Sequence, residues 1–158
     1  MLYLQVHPSE SRDPRFWPTR PASFRHSVDV YSSEARELAY RLVEFMAKGV
    51  DTDPMSLRGL FEGQTQGMRV NYYPPCRQQA DCRVLGLTPH SDACGLTLLL
   101  QTSHDVQGLQ VKKDGRWFAV QALKGAFIVN VGDILEVNGI SVEIVVKSFI
   151  HEIMSASS

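Results

Sequence analysis

The 158-residue chain lacks the marks of several large functional classes. Its three cysteines, Cys76, Cys82 and Cys94, are odd in number and never spaced as CxxC. That argues against a disulfide framework or a zinc ribbon and suits free thiols in a reduced, cytoplasmic setting. No unbroken apolar run approaches the roughly 20 residues needed to span a bilayer. The first residues, Met-Leu-Tyr-Leu-Gln-Val-His, carry no basic region or cleavage pattern of a secretory signal. Sixteen basic residues stand against 17 acidic ones, for a net charge of −1, with no basic stripe. Neither nucleic acid nor membrane is therefore expected as a partner. Walker A, GxSxG, HExxH and GxGxxG signatures are also missing, and no internal repeat is found. The length suits one buried core.

What is present centres on Leu85-Gly86-Leu87-Thr88-Pro89-His90-Ser91-Asp92. Residues two apart on an extended segment project from one face, so His90 and Asp92 aim an imidazole and a carboxylate at one point. With a further His from a distant strand, those donor types form the facial triad of non-haem Fe(II). With five His and nine Asp in the chain, the pair could equally be two polar residues ending a strand.

Around that pair the chain reads as follows. Residues 2–7 alternate as a strand ended by Pro8, which implies that something normally precedes it. Pro14, Pro18 and Pro21 make residues 9–21 a surface loop. Val28, Tyr31, Ala35, Leu38, Ala39, Leu42, Phe45 and Met46 recur at helical spacing, predicting an amphipathic core-packing helix over residues 23–48, ended by Gly49. Asp53-Pro54 starts a second, short helix. From Gly67 the period becomes two, with Met68, Val70 and Tyr72 on one face and Arg69, Asn71 and Tyr73 on the other. That polar row suits solvent and an anionic ligand about equally. Strands are expected over residues 84–92, 96–101 (apolar enough for burial on both faces), 109–111, 117–120 and 127–131. An Asp114-Gly115 hairpin turn joins the third and fourth, and Gly132-Asp133 marks a bend. Short strands with turn punctuation predict a sandwich or jelly roll.

Six motifs, in order, resemble the plant 2-oxoglutarate/Fe(II)-dependent dioxygenases, particularly their senescence-related and alkaloid- or flavonoid-modifying branch. They are Asn71-Tyr72-Tyr73-Pro74-Pro75-Cys76, the segment from Leu85 to Asp92, Gly95-Leu96-Thr97-Leu98-Leu99-Leu100-Gln101, Gly108-Leu109-Gln110-Val111, Asp114-Gly115-Arg116-Trp117 and Gly132-Asp133-Ile134-Leu135-Glu136. The helical stretch from Phe16 to Gly63 is similar too, so the likeness covers about residues 1–137. The resemblance implies a double-stranded β-helix, or jelly roll, with helices packed outside. It implies Fe(II) held by His90, Asp92 and a distal His, and 2-oxoglutarate as cosubstrate near Asn71 and Tyr73, with Arg69 on their face. It implies ascorbate as reductant, and dioxygen and a small organic metabolite as reactants. The expected division is support over 1–65, a β-helix core over 66–137 and a divergent tail over 138–158.

Departures from the family shape the expectations. Family members carry a further helical region before the point that matches residue 1. The loop from Cys76 to Leu85 is longer than theirs, with Gln79 and Cys82 the candidate insertions. After Val137 the pattern is lost. Alignment on Asn138-Gly139 puts Val146 in the place of the distal His, whereas alignment on Lys147-Ser148 puts His151 there. His104 lies in a loop, and His7 and His26 are assigned to structure or solvent. The family's Arg-x-Ser grip on the cosubstrate's far carboxylate has no counterpart, since no Arg follows Arg116. The reading is thus a dioxygenase fragment, monomeric but prone to association through uncovered barrel edges, that turns over 2-oxoglutarate poorly or not at all. The alternative is a non-catalytic remnant that binds metal weakly or a protein partner.

Overall fold

The computed structural model describes residues 1–74, 85–102, 107–137 and 145–149. The chain divides into two compact units, Met1–Tyr72 and Tyr73–Ser158.

In the first unit, β1 (Leu2–His7) pairs antiparallel with β2 (Gln66–Val70), Leu2 opposite Val70 and Gln5 opposite Gly67. Alternation along β1 sends Leu4 and Val6 inward, where they form a core with Trp17 and Val28, flanked by Leu2, Phe24 and Met68. Arg12 ties the proline-rich loop to that core. Its Nε and Nη2 donate to the Val6 carbonyl at 2.9 and 2.6 Å, its Nη1 meets Asp29 Oδ1 at 2.7 Å, and its guanidinium lies over the Trp17 ring.

Helix α1 spans Phe24–Gly49, one residue later at each end than the sequence predicts. The left-handed residue that turns the chain is Asp51 (φ 52°) rather than Gly49, a conformation Asp tolerates better than most residues. The buried line is Val28, Ser32, Val43 and Ala47. Phe45, placed on the apolar stripe by its spacing, is 66% exposed, because the apolar arc is wider than the surface it packs on. Helix α2 (Pro54–Gly59) is capped by Asp53, whose carboxylate accepts from the Ser56 N–H and hydroxyl at 2.8 and 2.7 Å.

The second unit is built from antiparallel strands: β3 (Leu85–His90), β4 (Leu96–Leu100), β5 (Leu109–Lys113), β6 (Arg116–Ala119), β7 (Phe127–Val131) and β8 (Val145–Phe149). They form a four-stranded sheet in the order β3-β8-β5-β6 and a two-stranded sheet of β4 and β7. The hairpin between β5 and β6 turns at Asp114 (φ 50°) and Gly115 (φ 75°), the double positive φ of a type I′ turn.

Four expectations need correction here. β4 is only half-buried and Leu100 is exposed, since β4 has one strand neighbour among the described residues. Gly132-Asp133 opens a short helix, α3 (Asp133–Val137), rather than a simple bend. A further strand, β8, lies beyond the strands expected from the sequence, the last of which ended at residue 131, and it joins β3 to β5. Finally, β3 stops at His90, so Asp92 lies beyond the strand.

Candidate metal and cosubstrate site

His90 ends β3 and Asp92 follows in the connection to β4, yet their side chains converge, with Nε2 and Oδ1 3.4 Å apart. The convergence therefore comes from a backbone turn as much as from strand alternation. The Asp133 N–H donates to the Asp92 carbonyl at 2.9 Å, and the Gly132 N–H to that of Gly95 at 2.9 Å. The Ser91 hydroxyl donates to Asp133 Oδ2 at 3.1 Å.

The imidazole is oriented from behind. Nδ1 lies 2.8 Å from the Thr88 carbonyl, which can only accept, so in the neutral ring Nδ1 carries the proton and Nε2 the lone pair. That lone pair faces a carboxylate oxygen, an arrangement that suits a cation held between them. A ligating His characteristically donates its other N–H to a carbonyl or carboxylate in this way. Two donors each about 2.1 Å from one metal in neighbouring positions stand about 3 Å apart, close to the observed separation. Both side chains are partly open to solvent. The pair therefore fits two positions of a divalent metal site.

A third protein donor is not found among the described residues: no further His, Cys, Asp or Glu joins the pair. Across the β3–β8 ladder the register partner of His90 is Val146, and valine offers no donor atom. His151 and His104 lie outside the described residues, as do Cys76 and Cys82. His7 contacts Arg36, Nδ1 to Nη1 at 2.6 Å, and His26 is exposed on α1.

The residues read as a cosubstrate lining divide between the units. Arg69 is exposed near the end of β2, and Asn71 is exposed just after it. Tyr73 is half-buried and opens the second unit. β2 ends at Val70, so the strand that was to place all three on one face is shorter than its alternation suggests.

One contributor escaped the sequence. Asn130 on β7 is 4% exposed, and its amide donates to Asp92 Oδ2 at 3.4 Å. The signal was there, an amide side chain inside the apolar run Phe127-Ile128-Val129-Asn130-Val131.

Comparison with known proteins places this geometry in context. Residues 64–158 match the 2OG-Fe(II) oxygenase superfamily. The chain is 64% identical over 137 residues to 2-oxoglutarate-dependent dioxygenase 11 of Oryza sativa subsp. japonica, covering 87% of this chain and 38% of that protein. It is 48% identical over 130 residues to oxoglutarate-dependent flavonoid 7-O-demethylase 1 of Ocimum basilicum, covering 82% and 34%. The chain thus spans well under half the length of these relatives. Among solved structures, JOX2 in complex with 2OG, Fe and JA superposes with a TM-score of 0.85 at 32% identity, covering 95% of this chain and 45% of that one. The strands described above are accordingly those of a jelly-roll oxygenase with accompanying helices, as the motifs implied, and Fe(II) and 2-oxoglutarate are the family's cofactor and cosubstrate. The chain belongs to the 2OG-Fe(II) oxygenase superfamily.

Proposed function

We propose that this chain carries the metal-holding part of an Fe(II)- and 2-oxoglutarate-dependent dioxygenase that oxidises a small organic metabolite in the cytoplasm. The observation that supports it is the chain of contacts from Thr88 through His90 to Asp92, which leaves an imidazole lone pair and a carboxylate oxygen facing one another. The similarity to enzymes named as dioxygenases and demethylases favours this reading over a non-catalytic remnant.

His90 Nε2 and Asp92 Oδ1 would hold the iron, the Thr88 carbonyl keeping the ring in the tautomer that presents its lone pair. Iron held there would, with 2-oxoglutarate and dioxygen, supply the oxidising chemistry, the cosubstrate being converted to succinate and carbon dioxide. Asn71 and Tyr73 are the proposed cosubstrate contacts through their match to the family's motif, and Arg69 is added to them by the period-two reading of residues 68–73. Action on a small metabolite without nucleic acid or membrane accords with the balanced charge. It also accords with the lack, among the described residues, of any helix long and apolar enough to cross a bilayer.

The test is succinate formation from 2-oxoglutarate with Fe(II) and ascorbate, with and without flavonoid and alkaloid candidates. Production that His90→Ala and Asp92→Ala each abolish is the expected result. Equal production by the wild type and both variants would refute the assignment.

A further inference from the structure

We infer that Asn130 is a positioning residue for Asp92: it holds Oδ2 so that Oδ1 is the oxygen presented beside His90 Nε2. The inference rests on the reading of His90 and Asp92 as metal donors, and it begins with an inconsistency in β7. Four of its five residues, Phe127, Ile128, Val129 and Val131, are apolar, yet the most buried member is an amide. Burying an amide costs free energy unless it is hydrogen-bonded. A residue that breaks its local pattern in this way marks function more often than stability.

The partner found for that amide is the outer oxygen of Asp92. Nδ2 of Asn130 lies 3.4 Å from Oδ2, while Oδ1 of the same carboxylate lies 3.4 Å from His90 Nε2. The two oxygens, chemically alike in a free carboxylate, are thereby given different neighbours. The distinction matters because the carboxylate torsion is broad and nearly two-fold. Left alone it would swing, exchange its oxygens or chelate through both. An amide donor beside one oxygen, even at 3.4 Å, biases which of the two faces His90.

Asn130 is itself fixed in place. It pairs with Thr97 in the β4–β7 ladder, and two residues on, the Gly132 and Asp133 N–H groups grip the carbonyls of Gly95 and Asp92. The segment from Asn130 to Asp133 thus holds Asp92 at two points, its main-chain carbonyl and its outer carboxylate oxygen.

The test uses the whole chain and Co(II) as probe, with affinity and the visible absorption of the bound ion read by titration. Wild type, Asn130→Leu, Asp92→Ala and the double variant are compared, and the metal-free melting temperature of each is recorded. Asn130→Ser, too short to reach Oδ2 yet still polar, serves as a second variant should the leucine disturb folding. Loss of such an outer partner weakens metal binding by about 10- to 100-fold. A weakening in that range is expected for Asn130→Leu and Asn130→Ser, with an altered absorption spectrum and no further loss when either is added to Asp92→Ala. An undiminished affinity in both Asn130 variants, or the same loss on the Asp92→Ala background, would overturn the inference, the second outcome marking a purely structural role. Wild-type affinity in Asp92→Ala would instead refute the metal reading on which the inference stands.

Discussion

Val146 stands opposite His90 across the β3–β8 ladder. From there β8 runs away from the site, Ser148 opposite Leu87 and Phe149 opposite Leu85. Pairing of His151 with His90 would need a register five residues away from the observed one. The register therefore favours the alignment that puts Val146, not His151, in the place of the distal His. Val146→His is expected to raise Co(II) affinity by about tenfold or more, since even an outer-shell partner contributes that much. His151→Ala is expected to leave it unchanged. Both are read by the same titration, and a loss in His151→Ala with no gain in Val146→His would assign the third donor to His151.

The cap on α2 gives a pH dependence with a definite sign. The Ser56 hydroxyl, and after it the Ser56 N–H, hold the Asp53 carboxyl below its ordinary value. A carboxyl whose folded value is depressed adds stability above its unfolded value and loses that contribution as pH falls through the folded one. Asp53→Ala should therefore melt earlier than wild type at neutral pH, and the gap should close in acid. A gap that persists unchanged to low pH would contradict the assignment of the cap to the ionised form.

In the first unit, β1 contributes Leu4 and Val6 to a core shared with Trp17 and Val28. Leu4 is 1% exposed among Val6, Trp17 and Val28, whereas its neighbour Tyr3 is half exposed. Leu4→Ala deletes buried carbons and leaves a cavity, a change that costs about 2–5 kcal/mol. Tyr3→Ala should cost much less. Urea unfolding followed by circular dichroism separates the two, and similar losses would mean that β1 does not anchor this core.

How much of this was legible in the sequence depended on how local the cause was. The hairpin at Asp114-Gly115, the cap at Asp53 and the strand at residues 127–131 follow from propensity and turn chemistry, and they lie where those rules put them. His90 and Asp92 were legible as a pair because their spacing is short. Their convergence was legible only in part, since Asp92 lies off the strand and is held by Asp133, 41 residues away in the chain. The place of Asn130 depends on the β4–β7 pairing, and the strand character of residues 145–149 on partners in β3 and β5. Such contacts carry no periodic trace in one sequence. Phe45 misled for the opposite reason, since helical periodicity reports an apolar arc and not the extent of the surface that covers it.

Gly132 joins the fold to the site, and its substitution should affect both. Its N–H donates to the Gly95 carbonyl, and its Cα faces the connection from β3 to β4 so closely that a methyl group there would fall on the Cys94 carbonyl oxygen and within 2.7 Å of that of Asp92. Both obstacles are backbone atoms, which cannot swing aside as a side-chain tip can. Gly132→Ala must therefore push β7 and the start of α3 away from residues 92–95, breaking the Asp133 N–H bond to the Asp92 carbonyl. Forced overpacking of this kind costs about 1–3 kcal/mol. The displacement should also draw Asn130 from Asp92 Oδ2, so Co(II) affinity should fall together with the melting temperature. Gly115→Ala is the control: its Cβ meets open space, but its φ of 75° strains any side chain, so it should lower stability and leave Co(II) affinity intact. Equal effects of the two variants on metal binding would show that the close approach at Gly132 does not shape the site.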